Sequence, residues 1–141
     1  MKFKEVKVGD KVLVKRQQYG DPQYFTGTVS KVTATRFTLT AACFSDDGQT
    51  FTNDGDVYPR EKGYGRTFVH IYAWNVESAG LVKKTQLANK IGRLASDLSS
   101  LMGSSATRNR MTDLDLSNDE LDTTLKMLED ITNQLMKYKR D

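Results

Sequence analysis

The chain changes character near Trp74, and this change constrains its fold more than any other feature. Residues 1–74 contain short runs rich in Val, Thr and aromatic residues, separated by Gly, Asp and Pro, as is typical of strands joined by turns. Residues 75–141 contain no Pro, no Phe and no further Trp, and their apolar residues recur at helical spacing. The sequence therefore predicts an α+β protein with a β-domain over residues 1–74 and a helical segment over residues 75–141.

Five short strands are predicted in the first segment. Val8-Gly9-Asp10 is a turn, because Gly permits unusual dihedral angles and Asp can accept a hydrogen bond within its own turn. Residues 25–33 and 36–44 are rich in Thr, Val and Phe and predict a hairpin, and residues 66–74 form the last strand. The alternation of Phe37, Leu39, Ala41 and Cys43 on one face predicts a half-buried strand. Strands this short and this closely spaced predict a small closed or nearly closed barrel, which removes exposed sheet edges.

The opening VGDKVLV, followed by FTGTVSKVTATRFTL, resembles the first three strands of an SH3-like or KOW-like barrel. Over residues 5–100 the order of elements is similar to that of small β-barrel proteins of tailed phages, in which a charged, glycine-bearing turn precedes a last strand that leads into a helix. FTNDGDVYPREKGYGRTFVHIYAW occupies that place here. The resemblance implies a five-stranded SH3-like barrel and a phage-encoded protein that binds, and inhibits, a host or host-defence protein. It transfers no functional residue.

Two helices are predicted in the second segment, at about residues 78–102 and 117–138, and together they predict a helical hairpin. The second helix begins with a capping box, in which Ser117 caps the helix and Glu120 reaches back to it. Gly103 is a candidate C-cap for the first helix. The apolar positions of the two helices, spaced for a coiled-coil seam, are candidates for self-association: Leu87, Ile91, Leu94, Leu98, Leu101, Leu121, Leu125, Leu128 and Leu135.

The charges of the helical segment are sorted along the chain. Lys and Arg dominate from Lys83 to Arg110, where Asp97 is the one acid, whereas Asp and Glu dominate from Asp113 to Asp130, where Lys126 is the one base. Two arrangements fit this pattern: an antiparallel hairpin within one chain, or a homodimer in which the basic helix of one copy meets the acidic helix of another. A helical hairpin of this length is marginal alone, so it packs either on the barrel or on a second copy.

Catalytic chemistry finds little support in the sequence. Walker, HExxH and CxxC motifs are absent, and a single histidine excludes a two-histidine metal site within one chain. Cys43 and His70 are the conceivable nucleophile and base, but both fall in predicted strands, where a buried cysteine acts as a small apolar side chain. The acidic stretch from Asp46 to Asp56 lacks the ligand spacing of an EF-hand and predicts turns. The sequence therefore predicts no enzyme, no cofactor and no metal site.

The stretch from Tyr58 to Arg66 combines basic, aromatic and glycine residues. Arg and Lys can hold phosphates and Tyr can stack on a base, while Tyr and Arg also anchor protein interfaces. The alternative is an ordinary hairpin loop whose tyrosines cover the end of the barrel. The candidates for binding a protein partner or nucleic acid are Arg36, Tyr58, Arg60, Lys62, Tyr64 and Arg66.

The composition limits the function classes. The net charge of +3 permits contact with nucleic acid without arguing for it. The single Cys43 fits a reducing compartment, and the absence of a signal-peptide pattern or membrane-spanning run predicts a cytoplasmic protein, in the host cytoplasm if it is phage-encoded. We expect a non-catalytic protein that acts through protein–protein interaction, and the alternative is a nucleic-acid-binding accessory protein that uses the basic–aromatic loop.

Overall fold

The computed structural model describes residues 2–17, 20–59, 68–102 and 115–139. Within these ranges the chain is α+β, as predicted, with an antiparallel sheet followed by two helices. The strands are β1 (Lys11–Arg16), β2 (Gln23–Val32), β3 (Arg36–Thr40), β4 (Gln49–Thr52), β5 (Val57–Tyr58) and β6 (Val69–Ala73). The helices are α1 (Ser78–Met102) and α2 (Asn118–Met136).

The sheet is a curled half-barrel with the strand order β5-β4-β3-β2-β1-β6. Its first five strands follow one another as a meander, and β6 returns to pair with β1, so that Val14 lies opposite both Phe25 and Ile71. The described residues form six strands where five are predicted. The additional strand, β5, contains only two residues, too few to show a periodic pattern in the sequence.

The core cluster is built mainly from alternate residues of the strands, together with Phe3 from the N-terminal segment. Phe37, Leu39 and Phe51 are almost completely buried, and the rings of Phe37 and Phe51 stack with their centroids 6.0 Å apart. The predicted alternation along β3 is therefore confirmed at residues 37 and 39. The predicted strand over residues 36–44 is too long, however, because β3 ends at Thr40 and a turn follows, closed by a hydrogen bond from Phe44 N–H to Ala41 O (3.0 Å).

The predicted turns around the sheet are present. Asp10 Oδ2 accepts the backbone N–H of Lys7 at 2.9 Å, and Gly9 has a φ of 94°. Gly48, with a φ of 80°, follows the acidic pair 46–47, and a Cβ atom at this position would lie 2.5 Å from the carbonyl oxygen of Leu39. Gly48 thus combines a left-handed backbone with a close approach to β3, which only glycine tolerates.

The first two turns of helix α1 bury residues on one side of the helix. Ser78 is completely buried, and its hydroxyl accepts the N–H of Asn75 at 3.0 Å. One turn and two turns further on, Val82 and Thr85 are also buried. The Thr85 hydroxyl accepts the backbone N–H of Tyr24, in β2, at 2.9 Å and donates to Leu81 O at 3.2 Å. The Tyr24–Thr85 hydrogen bond ties the second turn of α1 to β2.

The chain divides into two compact units, Met1–Ile91 and Gly92–Asp141. The predicted boundary at residue 74 marks the change from strand to helix, whereas the first unit also includes the beginning of α1. Helix α1 spans the predicted range of residues 78–102. The predicted C-cap Gly103 lies outside the described residues.

Helix α2 begins with the predicted capping box. The Ser117 hydroxyl accepts the N–H of Glu120 at 3.2 Å, and the Glu120 carboxylate accepts the N–H of Ser117 at 3.3 Å. The helix ends at Met136, two residues before the predicted end, with Lys137 as its C-cap. None of the described helices is long and apolar enough to cross a membrane. The pairing of α1 with α2 stays a prediction.

Candidate interaction surfaces

The side chains of Arg36 and Tyr58 contact each other across β4. Arg36 starts β3 and Tyr58 ends β5, with β4 between them. The guanidinium carbon of Arg36 lies 4.0 Å from the centroid of the Tyr58 ring, which is the geometry of a cation–π contact. The contact holds the guanidinium in place while leaving its N–H groups available as donors.

A groove of about 400 Å³ opens beside this pair. Among the described residues, the lining includes two bases, three threonines and two aromatic residues, and it includes no acidic residue. The lining consists of Lys31, Thr33, Arg36, Phe37, Thr38, Thr50, Tyr58 and Pro59. Such a surface can hold an anionic group through its bases and an aromatic group through Tyr58.

The predicted binding candidates are therefore only partly placed by the structure. It brings Arg36 and Tyr58 together, whereas Arg60, Lys62, Tyr64 and Arg66 lie outside the described residues. The threonines of the groove are missing from the predicted set. Thr38 and Thr50 are cross-strand neighbours whose hydroxyls lie 3.1 Å apart, and the alternation that placed Phe37 and Leu39 inward also implied that Thr38 points outward.

Trp74 lines a second concavity, at the end of β6. Its ring is half-buried, and Lys11 Nζ lies 5.5 Å from the ring centroid. The concavity has a volume of about 280 Å³ and brings Trp74 close to Phe3 and Val6. Trp74 thus packs at the margin of the sheet with only part of its ring covered.

The apolar stripe of α1 is exposed along its whole length. Every residue from 86 to 101 is exposed, although the same helix buries Ser78, Val82 and Thr85 at its start. The exposed fractions are 49% for Leu87, 64% for Ile91, 60% for Leu94, 39% for Leu98 and 57% for Leu101. Because these side chains follow one another at spacings of three and four, they form one continuous face, which we call the α1 stripe.

Helix α2 carries a similar stripe. Leu121 and Leu128 are half-buried, Leu125 is 54% exposed and Leu135 is 61% exposed. No residue of α2 is buried. We call the face formed by Leu121, Leu125, Leu128 and Leu135 the α2 stripe. All nine predicted self-association candidates thus lie on exposed or half-buried faces of the two helices.

Cys43 and His70 are not arranged as a nucleophile and its base. Cys43 lies in the turn after β3, not in a strand as predicted, and His70 is exposed on β6, with β2 and β1 between these two strands. Burial of the thiol raises the pKa of Cys43 above its usual value, against smaller opposing effects of a backbone hydrogen bond and of Arg16. A raised pKa leaves less thiolate at neutral pH, so Cys43 is a poor nucleophile.

The acidic residues before and after β4 lie in turns. Asn53 is buried, and its side-chain amide donates to Ala34 O at 3.2 Å. In the same turn, Thr52 Oγ1 accepts the N–H of Asp56 at 3.2 Å. Among the described residues no group of three or more His, Cys, Asp or Glu side chains is arranged to hold a metal ion.

Comparison of the chain with models of known protein families, with characterised proteins and with solved structures gives no significant match.

Proposed function

We propose that this protein is a non-catalytic binding protein, and that it acts through protein–protein interaction by the apolar stripes of α1 and α2. The observation that carries the proposal is the exposure of five consecutive aliphatic side chains of the stripe, from Leu87 to Leu101. A helix that needs only solubility places polar residues on an exposed face. A contiguous apolar patch rimmed by polar residues is instead typical of an interaction site.

The flanks of the stripes support the same function. Lys83 and Lys90 border the α1 stripe, and Asp122 and Glu129 border the α2 stripe; all four side chains are exposed. Charges placed beside an apolar seam select the partner and the orientation of coiled-coil interfaces. Such a design binds another helix without any need for catalytic groups.

A photo-crosslinking amino acid at position 94 tests the proposed function. We expect it to form covalent adducts with protein in the cell that naturally contains this chain, because Leu94 is 60% exposed at the centre of the α1 stripe. The matched control carries the same amino acid at Ser99, which is exposed on the same helix but outside the stripe. Adducts analysed by mass spectrometry should be several-fold more abundant at position 94. Equal yields at both positions would contradict the proposed function.

The sheet, in the same proposal, is an SH3-like barrel of the phage type. The antiparallel meander from β1 to β5, with β6 returned beside β1, supports this assignment, because small barrels are built from short antiparallel strands that curl on themselves. A phage-encoded protein of this kind acts on a host or host-defence protein in the host cytoplasm. The resemblance of the strand sequences supports this origin.

A second candidate function is binding of single-stranded nucleic acid, and the groove beside Arg36 and Tyr58 favours it. Lys31 and Arg36 line the groove, and the described part of its lining contains no acid. Tyr58 lies against the Arg36 guanidinium at 4.0 Å. Basic side chains that follow a backbone, combined with an aromatic ring for base stacking, are the usual components of single-strand binding.

The double substitution Lys31→Ala with Arg36→Ala tests this candidate. With a fluorescent single-stranded oligonucleotide, affinity should fall, and the slope of log K against log salt should become shallower by about 0.7 for each phosphate that the variant no longer neutralises. The matched control is Lys4→Ala with Lys7→Ala, which removes two exposed bases outside the groove. Fluorescence anisotropy at several salt concentrations gives both quantities. Equal decreases in affinity for the two variants would mean that only the net charge matters and would exclude the groove.

A further inference from the structure

We infer that the partner of the α1 stripe is the α2 stripe of a second copy of this chain, aligned in parallel so that Leu87 lies beside Leu121. The inference rests on the proposed function and names the partner for it. The two stripes have the same spacing, since residues 87, 91, 94, 98 and 101 correspond to residues 121, 125, 128, 132 and 135. Each step of four or three matches, so a single register brings all five positions into one seam.

One position of the α2 seam is polar but has its hydrogen-bonding needs met. Thr132 stands opposite Leu98 in this register, and its hydroxyl donates to Leu128 O, within the same helix, at 2.7 Å. The hydroxyl proton therefore needs no water when the seam is covered. The remaining positions of both stripes are aliphatic.

The bases of α1 border its stripe on one side. Lys83 and Lys90 are seven residues apart and each lies four residues before a leucine of the stripe, which is the g position of a heptad. The opposite border carries Ala88 and Ala95. Only one side of the α1 stripe can therefore form ion pairs with a partner helix over these two heptads.

The acids of α2 border its stripe with the same period. Asp122 and Glu129 are seven residues apart and each directly follows a leucine of the stripe, which is the e position of a heptad. Asp122 already contacts Lys126 at 3.3 Å, but both side chains are largely exposed. Such an exposed pair contributes little, so the Asp122 carboxylate can turn to another base at small cost.

The parallel alignment brings the bases beside the α1 stripe next to the acids beside the α2 stripe. In parallel coiled coils a g residue pairs with the e residue of the following heptad on the partner. In the proposed register Lys83 then pairs with Asp122, and Lys90 pairs with Glu129. In an antiparallel alignment g residues face g residues, so the two lysines meet Thr124 and Ile131 and neither ion pair forms. The charge pattern therefore selects the parallel orientation.

A homodimer contains the parallel α1–α2 contact twice. In a dimer with two-fold symmetry, α1 of one copy contacts α2 of the other, and the reverse contact follows automatically. Two short seams then act together, whereas one seam of this length is marginal.

Cysteine pairs at the ends of the stripes test the register. In a Cys43→Ala background, one sample carries Leu101→Cys and another carries Leu135→Cys. After mixing and mild oxidation we expect a disulfide between the two copies, because these ends coincide in the parallel register. Mixing Leu101→Cys with Leu121→Cys should give little product, because those ends are at opposite extremes of the seam. The reverse preference would overturn the parallel alignment, and efficient linkage of Leu101→Cys to itself would overturn the α1–α2 pairing.

Charge reversal with rescue provides a second test in the wild-type background. Lys83→Glu with Lys90→Glu should weaken dimerisation roughly 10- to 30-fold, because four exposed ion pairs in the symmetric dimer become repulsive. Adding Asp122→Lys and Glu129→Lys should restore the dimer. Light scattering coupled to size exclusion over a range of protein concentrations measures the change, and circular dichroism confirms that the variants fold. Failure of the rescue would overturn the proposed pairs.

The two proposals can fail separately. A chain that stays monomeric at all concentrations, but whose position 94 crosslinks to another protein, overturns the dimer and leaves the proposed function intact. A monomeric chain with no excess of protein adducts at position 94 overturns both.

Discussion

Replacing Phe51 by alanine should lower the free energy of unfolding of the sheet unit by about 3–5 kcal/mol. Phe51 is completely buried at the centre of the core. Its ring stacks on Phe37 with centroids 6.0 Å apart and contacts Phe44 with centroids 6.1 Å apart. The truncation removes both contacts and leaves a cavity that the paired strands β3 and β4 cannot close, because their backbones are joined in a fixed register.

Phe68→Ala is the matched control for this experiment. It removes the same side chain from a position that is 40% exposed, so we expect a destabilisation of no more than about 1 kcal/mol, as for a surface substitution. Urea unfolding followed by fluorescence measures both variants. Similar destabilisation at the two positions would contradict the described core.

Replacing Gly48 by alanine should be the most damaging change in any turn of the sheet, with a destabilisation of more than about 1–3 kcal/mol, the cost of backbone strain alone. That strain arises because the φ of 80° places a non-glycine residue in an unfavourable conformation. In addition, the new Cβ would approach Leu39 O to 2.5 Å and Thr38 Cγ2 to 3.1 Å. The first neighbour is a backbone atom of a central strand, so it cannot move aside.

Gly9→Ala separates the two contributions. Gly9 also has a left-handed backbone, with a φ of 94°, but a Cβ atom there has no neighbour within 4 Å. Thermal unfolding should therefore show a clearly larger decrease in stability for Gly48→Ala than for Gly9→Ala. Equal decreases would mean that backbone conformation alone sets the cost and that Gly48 does not pack against β3 as described.

The sequence predicts local features better than pairing between distant parts. Ser117 and Glu120 lie three residues apart, so their capping box depends only on local geometry, and it is present as predicted. The turn at Gly9 and the alternation of Phe37 and Leu39 are local in the same sense. Such features can be recognised because the residues that satisfy one another are neighbours in the chain.

Features that depend on long-range pairing are harder to predict. β5 exists because Phe51 and Thr50 pair with Val57 and Tyr58, and two residues carry no periodic signal. Similarly, the groove beside Arg36 depends on β4 bringing Tyr58 across from β3, so Thr38 and Thr50 could not be assigned to it from their own segments. The burial of Thr85 arises in the same way, since its hydroxyl accepts the N–H of Tyr24, a residue distant in the sequence.

Trp74, the only tryptophan of the chain, provides a fluorescence signal for the sheet that is separate from the circular dichroism of the helices. It lies in the unit Met1–Ile91, half-buried and with Lys11 over its ring, so its emission reports on unfolding of the sheet. Far-ultraviolet circular dichroism, by contrast, is dominated by α1 and α2. If the two signals change at different temperatures, the helices melt independently of the sheet; if they change together, folding of the whole chain is cooperative.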